Sequence, residues 1–183
     1  MQLVPHAYPP GTAATAQARR ARLLRRVSPH LISGEIGILK ITAWVDGASR
    51  GNPGPAGYGV FMKTERGDVI EISGFLGTTT NNVAEYSGLL EALSVAEAEG
   101  ADEVEIVSDS ELLVKQMLGS YRVKHPNLIP MHQQAKSMAR RFRRFTIRHT
   151  LRAGNKDADR LANAAVDRGG GRAVDRRRID ADA

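Results

Sequence analysis

Three strand-like runs follow one another with only turns between them, and every later strand-like run is preceded by a helical one. No other feature of the chain restricts its fold as much. The three runs are Ile38–Val45 (ILKITAWV), Gly57–Lys63 (GYGVFMK) and Val69–Leu76 (VIEISGFL), with Glu65–Asp68 supplying the turn between the second and third. From Asn82 to Glu99 the period changes, placing Tyr86, Leu89, Leu90, Leu93 and Ala96 on one helical face, with Gly100 as a stop. VEIVSD (Val104–Asp109) reads as a fourth strand and Ser110–Leu118 as a short helix closed by Gly119. Leu128, Met131, Ala135, Met138 and Phe142 mark another helix, and FTIRHTL (Phe145–Leu151) a fifth strand. Ala158, Leu161, Ala162, Ala165 and Val166 mark a last helix, ended by Gly169–Gly171. Short turns make the first three strands an antiparallel meander, whereas strands reached through a helix can add parallel to the first. The expected fold is α/β, a five-stranded mixed sheet in the order βββαβααβα with helices packed on it.

A chain of 183 residues suits one domain with ragged ends. Residues 1–35 are expected to form a flexible Arg-rich arm, 36–168 the domain, and 169–183 a disordered tail of Gly, Arg and Asp. The arm fits a transit-like segment and an upstream extension of the start equally well. No apolar run approaches the roughly 20 residues that span a bilayer. There is no cysteine, and the five histidines show no HExxH-like spacing. Any metal would therefore be held by oxygen, which favours Mg²⁺ or Mn²⁺.

The charges are segregated along the chain. Glu65 to Glu111 contains twelve acids and one base, Arg66. Leu112 to Lys156 contains eleven bases, among them Arg140, Arg141, Arg143 and Arg144, and no acid. An unbalanced run of this length is read as a surface for a polyanion.

Asp46 and Asp109 end the first and fourth strands, and neighbouring parallel strands would bring those ends together. Glu85 is placed in the first turn of the first long helix and Asp159 in the first turn of the last. Taken singly, such acids cap helices or complement helix dipoles. Four carboxylates crowded together would raise one another's pKa values unless a divalent cation neutralised them. A pair of such cations makes the clamp used in phosphodiester cleavage.

DGASRGNPGPAGYG, TTNNVAEY, VSDS and NKDADRLAN follow one another in the order found in ribonuclease HI, and from about Ile38 to Arg168 the chain resembles that family. The resemblance implies the ribonuclease H fold, hydrolysis of the RNA strand of RNA/DNA hybrids to 5′-phosphate and 3′-hydroxyl ends, and two Mg²⁺ or Mn²⁺ ions per site. It places the metal ligands on Asp46, Glu85, Asp109 and Asp159, the last because the family acid follows the alanine that is Ala158 here. Gly51 and Asn52, in the Gly/Pro-rich turn after Asp46, together with Asn81 and Asn82, fall on hybrid-contacting positions, and Thr80 on a DNA-phosphate contact. RNA/DNA hybrid is thus the expected partner and double-stranded RNA a second candidate, for a cytoplasmic monomer without membrane contact.

The chain departs from many relatives in two places. The segment GSYRVKHPNLIPMHQQA is too short for a basic tryptophan-bearing protrusion, which leaves substrate grip to the Arg/Lys run. Where many relatives carry a loop histidine before the last acid, this chain has RAGN, and Arg152 is aligned with it as an electrostatic aid to turnover. The competing reading is a catalytically silent hybrid- or dsRNA-binding module, whose mark would be a missing ligand carboxylate; all four are present.

Overall fold

The computed structural model describes residues 38–178, so the expected N-terminal arm lies outside the described residues. The strands are β1 (Lys40–Ser49), β2 (Gly54–Thr64), β3 (Asp68–Thr79), β4 (Glu103–Ser108), β5 (Arg144–His149) and β6 (Arg172–Arg178). The helices are α1 (Asn81–Ala98), α2 (Glu111–Leu118), α3 (Leu128–Ala139) and α4 (Lys156–Arg168), with a 3-10 turn at Arg152–Gly154. The strands form one sheet in the order β5-β4-β1-β2-β3-β6. β1, β2, β3 and β6 pair antiparallel, whereas β1, β4 and β5 run parallel.

The sheet has six strands, where five were expected. The sixth, Arg172–Arg178, falls in the segment expected to be a disordered tail. Its sequence RAVDRRR has no apolar alternation, and every residue in it is exposed. It is held by backbone pairing to β3 and by ion pairs from Arg172 to Glu91, Arg176 to Glu99, Arg177 to Glu71 and Arg178 to Asp68. Side-chain periodicity cannot report a strand fixed in this way.

The main core lies between the sheet and α1, where Ile41, Ala43 and Val45 of β1 meet Tyr86, Leu89 and Leu93. Fully burying a Leu of this kind stabilises the fold by about 1.5–3 kcal/mol. A smaller cluster joins Phe61, Val69 and Leu161 with Trp44, whose ring lies 5.8 Å from that of Phe61. This is the α4 side of the sheet. Two glycines of β2 let α4 approach closely: a Cβ on Gly59 would overlap the Ala158 carbonyl and the Ala162 amide, and one on Gly57 would lie 2.8 Å from the Ala165 Cβ. The GYG spacing read as ordinary strand is thus also the seat of the last helix.

Candidate active site

The parallel β1–β4 ladder ends at Val45 opposite Ser108, while β1 continues to Ser49 paired with β2 alone. Asp46 is therefore the first residue past the parallel ladder and not the end of its strand. Asp109 directly follows β4, so both carboxylates emerge where the two strands part. Glu85 opens the second turn of α1, whose first turn contains no acid. A role in complementing the helix dipole, which falls off within the first turn, does not account for it. Oxygens of Asp46, Glu85 and Asp109 all lie within 4.8 Å of one another.

Asp46 is 6% exposed and Glu85 5%. Burial, aided by the charges of Asp109 and Asp159, pushes the Asp46 carboxyl up to about 7. Burial and the charges of Asp46 and Asp109 raise Glu85 well above the usual carboxylate range. Glu85 Oε1 accepts a long hydrogen bond from Asn81 Nδ2 at 3.5 Å, while its Oε2 is buried without a hydrogen-bond partner among the described residues. A buried acceptor left unpaired costs about 1–3 kcal/mol, and more when it is charged. A divalent cation would remove that cost, supplying positive charge and a partner for the orphaned oxygen together. Oxygen-only donors at this spacing fit Mg²⁺ or Mn²⁺.

Asp159 stands on the wall of the same cleft, outside the tight triad. Its Oδ1 accepts from Arg152 Nη2 at 2.8 Å, and this pairing holds the Arg152 guanidinium above its ordinary pKa. The cleft, of about 440 Å³, is lined by all four acids together with Arg152, Asn81 and Ser49.

The family model described as reverse transcriptase-like matches residues 44–165. The bifunctional protein Rv2228c of Mycobacterium tuberculosis is 46% identical over 131 residues, 70% of this chain and 36% of that protein. The chain thus spans about a third of that relative's length. The solved N-terminal ribonuclease H domain of Rv2228c, fused to maltose-binding protein, is 45% identical with a TM-score of 0.69, covering 72% of this chain and 96% of that one. Ribonuclease H1 of Halobacterium salinarum is 39% identical with a TM-score of 0.67, over 70% of this chain and 98% of the other. The chain belongs to the ribonuclease H family. Another member, LC11 ribonuclease H1 from compost, was solved in complex with an RNA/DNA hybrid; it is 41% identical with a TM-score of 0.65, over 70% of this chain and 97% of its own.

Of the other candidate residues read from the sequence, Asn52 and Asn81 meet at the cleft rim, where Asn52 Oδ1 accepts the Asn81 backbone N–H at 3.2 Å. Gly51 holds φ at 96° in the turn between β1 and β2, a conformation that favours glycine. Thr80 caps α1, its hydroxyl accepting from the Val83 amide at 3.3 Å, and Asn82 is exposed at the second position of that helix. The arginines at 140–144 are not brought to the cleft. Arg144 begins β5 opposite Glu103, at the far end of β4 from Asp109, roughly 20 Å away at ~3.3 Å per residue. Arg141 pairs with Glu97 at 3.1 Å and Arg143 with Glu103, while Arg140 is exposed at the end of α3.

Three polar contacts beside the acids, made by two residues, were not anticipated. His149 places Nε2 3.2 Å from the Asp109 backbone carbonyl, so that nitrogen must carry the proton. Asn155, at the start of α4, donates to Val45 O and to Asp109 Oδ1. Both residues lay inside segments already read as strand and loop, and only the chain's folding back reveals their partners.

Proposed function

We propose that the chain is an endoribonuclease that hydrolyses the RNA strand of RNA/DNA hybrids with two divalent cations, leaving 5′-phosphate and 3′-hydroxyl ends. The observation that carries this reading is the convergence of Asp46, Glu85 and Asp109, with the orphaned Glu85 oxygen, in a cleft that Asp159 completes. Asp46 would be shared between the ions, Glu85 and Asp109 completing one set of ligands and Asp159 the other. When bound, the ions supply the Lewis acidity that activates water and steadies the leaving 3′ oxygen.

The protein's own groups do the rest. Asn52 and Asn81 at the rim, with the close backbone approach that Gly51 allows, would read 2′-hydroxyls across a minor groove. Asn82 and Thr80 complete that edge, Thr80 toward a phosphate of the DNA strand. Arg152 stays charged at working pH and draws the scissile phosphate toward Asp159. Arg140, Arg141, Arg143 and Arg144 would steer the duplex at longer range. No helix among the described residues is long and apolar enough to cross a membrane, and a cytoplasmic monomer remains part of the proposal. The silent-module reading has no support in the cleft, since no carboxylate is missing.

The test is a panel of end-labelled RNA/DNA hybrid, double-stranded RNA and duplex DNA, incubated with Mg²⁺, Mn²⁺ or chelator. Metal-dependent cutting of the RNA strand of the hybrid is expected, with duplex DNA intact. Failure to cut hybrid with either ion, or cutting of duplex DNA, would refute the proposal.

A further inference from the structure

Asn155 immediately precedes α4 and is 1% exposed. An asparagine at that position ordinarily caps its own helix by accepting a backbone N–H of the first turn. Asn155 makes no such bond. Its Nδ2 instead donates to Val45 O at 3.0 Å and to Asp109 Oδ1 at 2.9 Å. Both partners are acceptors only, so the amide can face them in one orientation. That orientation leaves Asn155 Oδ1 buried without a hydrogen-bond partner among the described residues. The backbone contributes a third link, since the Asp159 N–H donates to the Asn155 carbonyl at 3.0 Å.

One residue therefore ties together the residue before Asp46 and the carboxylate of Asp109 through its side chain, and the turn that carries Asp159 through its backbone, at the expense of a helix cap and a satisfied amide oxygen. We propose that Asn155 is a positioning residue for the metal site: it engages one oxygen of Asp109 so that the other is held toward Asp46 and Glu85, and it fixes the start of α4 to the end of β1. The inference rests on the reading that these carboxylates hold divalent cations. A carboxylate already restrained binds an ion without first being ordered, so removing the amide weakens ion binding even in a protein that remains folded.

The experiment is calorimetric titration of the intact protein with Mn²⁺, without nucleic acid, for the parent, Asn155→Ala, Asn155→Ser, Asp109→Asn and the Asn155→Ala/Asp109→Asn double variant, each alongside a thermal melt. Asn155→Ala is expected to weaken Mn²⁺ binding about 10-fold, with a smaller loss in Asn155→Ser, which keeps one donor. On the Asp109→Asn background the same alanine change should add little, because the group it restrains has been altered. Mn²⁺ affinity of Asn155→Ala within about twofold of the parent, or losses that simply add in the double variant, would overturn the proposal. If the alanine variant does not melt cooperatively, Asn155→Ser alone and combined with Asp109→Asn supplies the same cycle. A parent that binds Mn²⁺ but cuts no hybrid would remove the ribonuclease reading and leave the role of Asn155 intact. A parent that binds no Mn²⁺ would remove both.

Discussion

Gly59 stands opposite Asp46 across the β1–β2 ladder, and the space left by its absent side chain is filled by the Ala158 carbonyl at the start of α4. The residue after Ala158 is Asp159. The distance between the first and last of the four site acids is thus governed by a glycine that carries no chemistry. Gly59→Ala should push α4 outward, destabilise the fold by about 1–3 kcal/mol as overpacking does, and lower cleavage further than the stability loss explains. Gly170→Ala, where an added Cβ meets nothing within 4 Å, is the control and should be neutral. Urea unfolding and hybrid-cleavage rates on the three proteins check this.

Asp109→Asn should keep the fold and the affinity for hybrid while removing cleavage, since an amide preserves shape but not ligand charge. The loss should exceed the roughly 10–100-fold that follows changes to groups supporting a metal's ligands. Gel-shift and single-turnover cleavage assays on the same hybrid test both halves, and cutting at the parent rate would sink the assignment.

The metal-free protein should lose stability as pH rises through the acidic and neutral range. Asp46 has an ordinary pKa of 3.8 and one of about 7 in the fold, so between those values the folded state holds more protons than the unfolded one. Unfolding free energy then falls with increasing pH, by at most about 4 kcal/mol for this group, and flattens above pH 7. Glu85, raised in the same sense, adds to the trend. Asp46→Asn should flatten the profile, and Mn²⁺ should raise the melting temperature most at and above pH 7. Melting curves from pH 4 to 8 in chelator would show a rising profile if the prediction is wrong.

Arg152→Ala should slow multiple-turnover cleavage about 10-fold, and Asp159→Ala should do far more damage. The 2.8 Å pair between these residues makes the comparison informative, because losing Arg152 also frees the Asp159 carboxylate. An Arg152→Ala protein as fast as its parent would reduce the arginine to an exposed loop residue.

Neutralising Arg140, Arg141, Arg143 and Arg144 together should flatten the salt dependence of hybrid binding by less than four phosphate contacts' worth. Each contact contributes roughly 0.9 to the log–log slope, and Arg141 and Arg143 already have carboxylate partners in Glu97 and Glu103. A change near that of two contacts, from Arg140 and Arg144, is expected. Binding isotherms at several salt concentrations measure it; an unchanged slope would mean that none of the four reaches the duplex.

The parts of the fold legible in the sequence were those written in side-chain periodicity. Tyr86, Leu89 and Leu93 announced α1, and the alternation in ILKITAWV announced β1, because apolar burial holds both. The acids were legible because each lies at or near a strand or helix end that the pattern located, although β1 runs on past Asp46 to Ser49 and Glu85 falls in the second turn of α1. β6 was not, since arginine ion pairs and backbone pairing leave no apolar period. The bonds of Asn155 to Val45 and Asp109 were hidden for another reason: they span 110 and 46 residues, and an asparagine before a helix looks like a cap. Glu85 was placed one turn too early because α1 begins at Asn81 behind a Thr80 cap, and a one-residue shift in a helix start moves an acid across a turn boundary.

β6 also decides what the sheet offers to other chains. Without it, β3 would present Val69, Ile70 and Ile72 along an open hydrogen-bonding edge, the kind of surface on which strands of separate molecules join. With it, the outermost strand carries Arg172, Arg176, Arg177 and Arg178, and the opposite border carries Arg144 and Arg148 on β5. Both borders of the sheet among the described residues therefore carry exposed charged side chains, the kind of edge that disfavours joining by strands of other molecules, and the residues with no hydrophobic pattern are the ones that cover the apolar edge of β3.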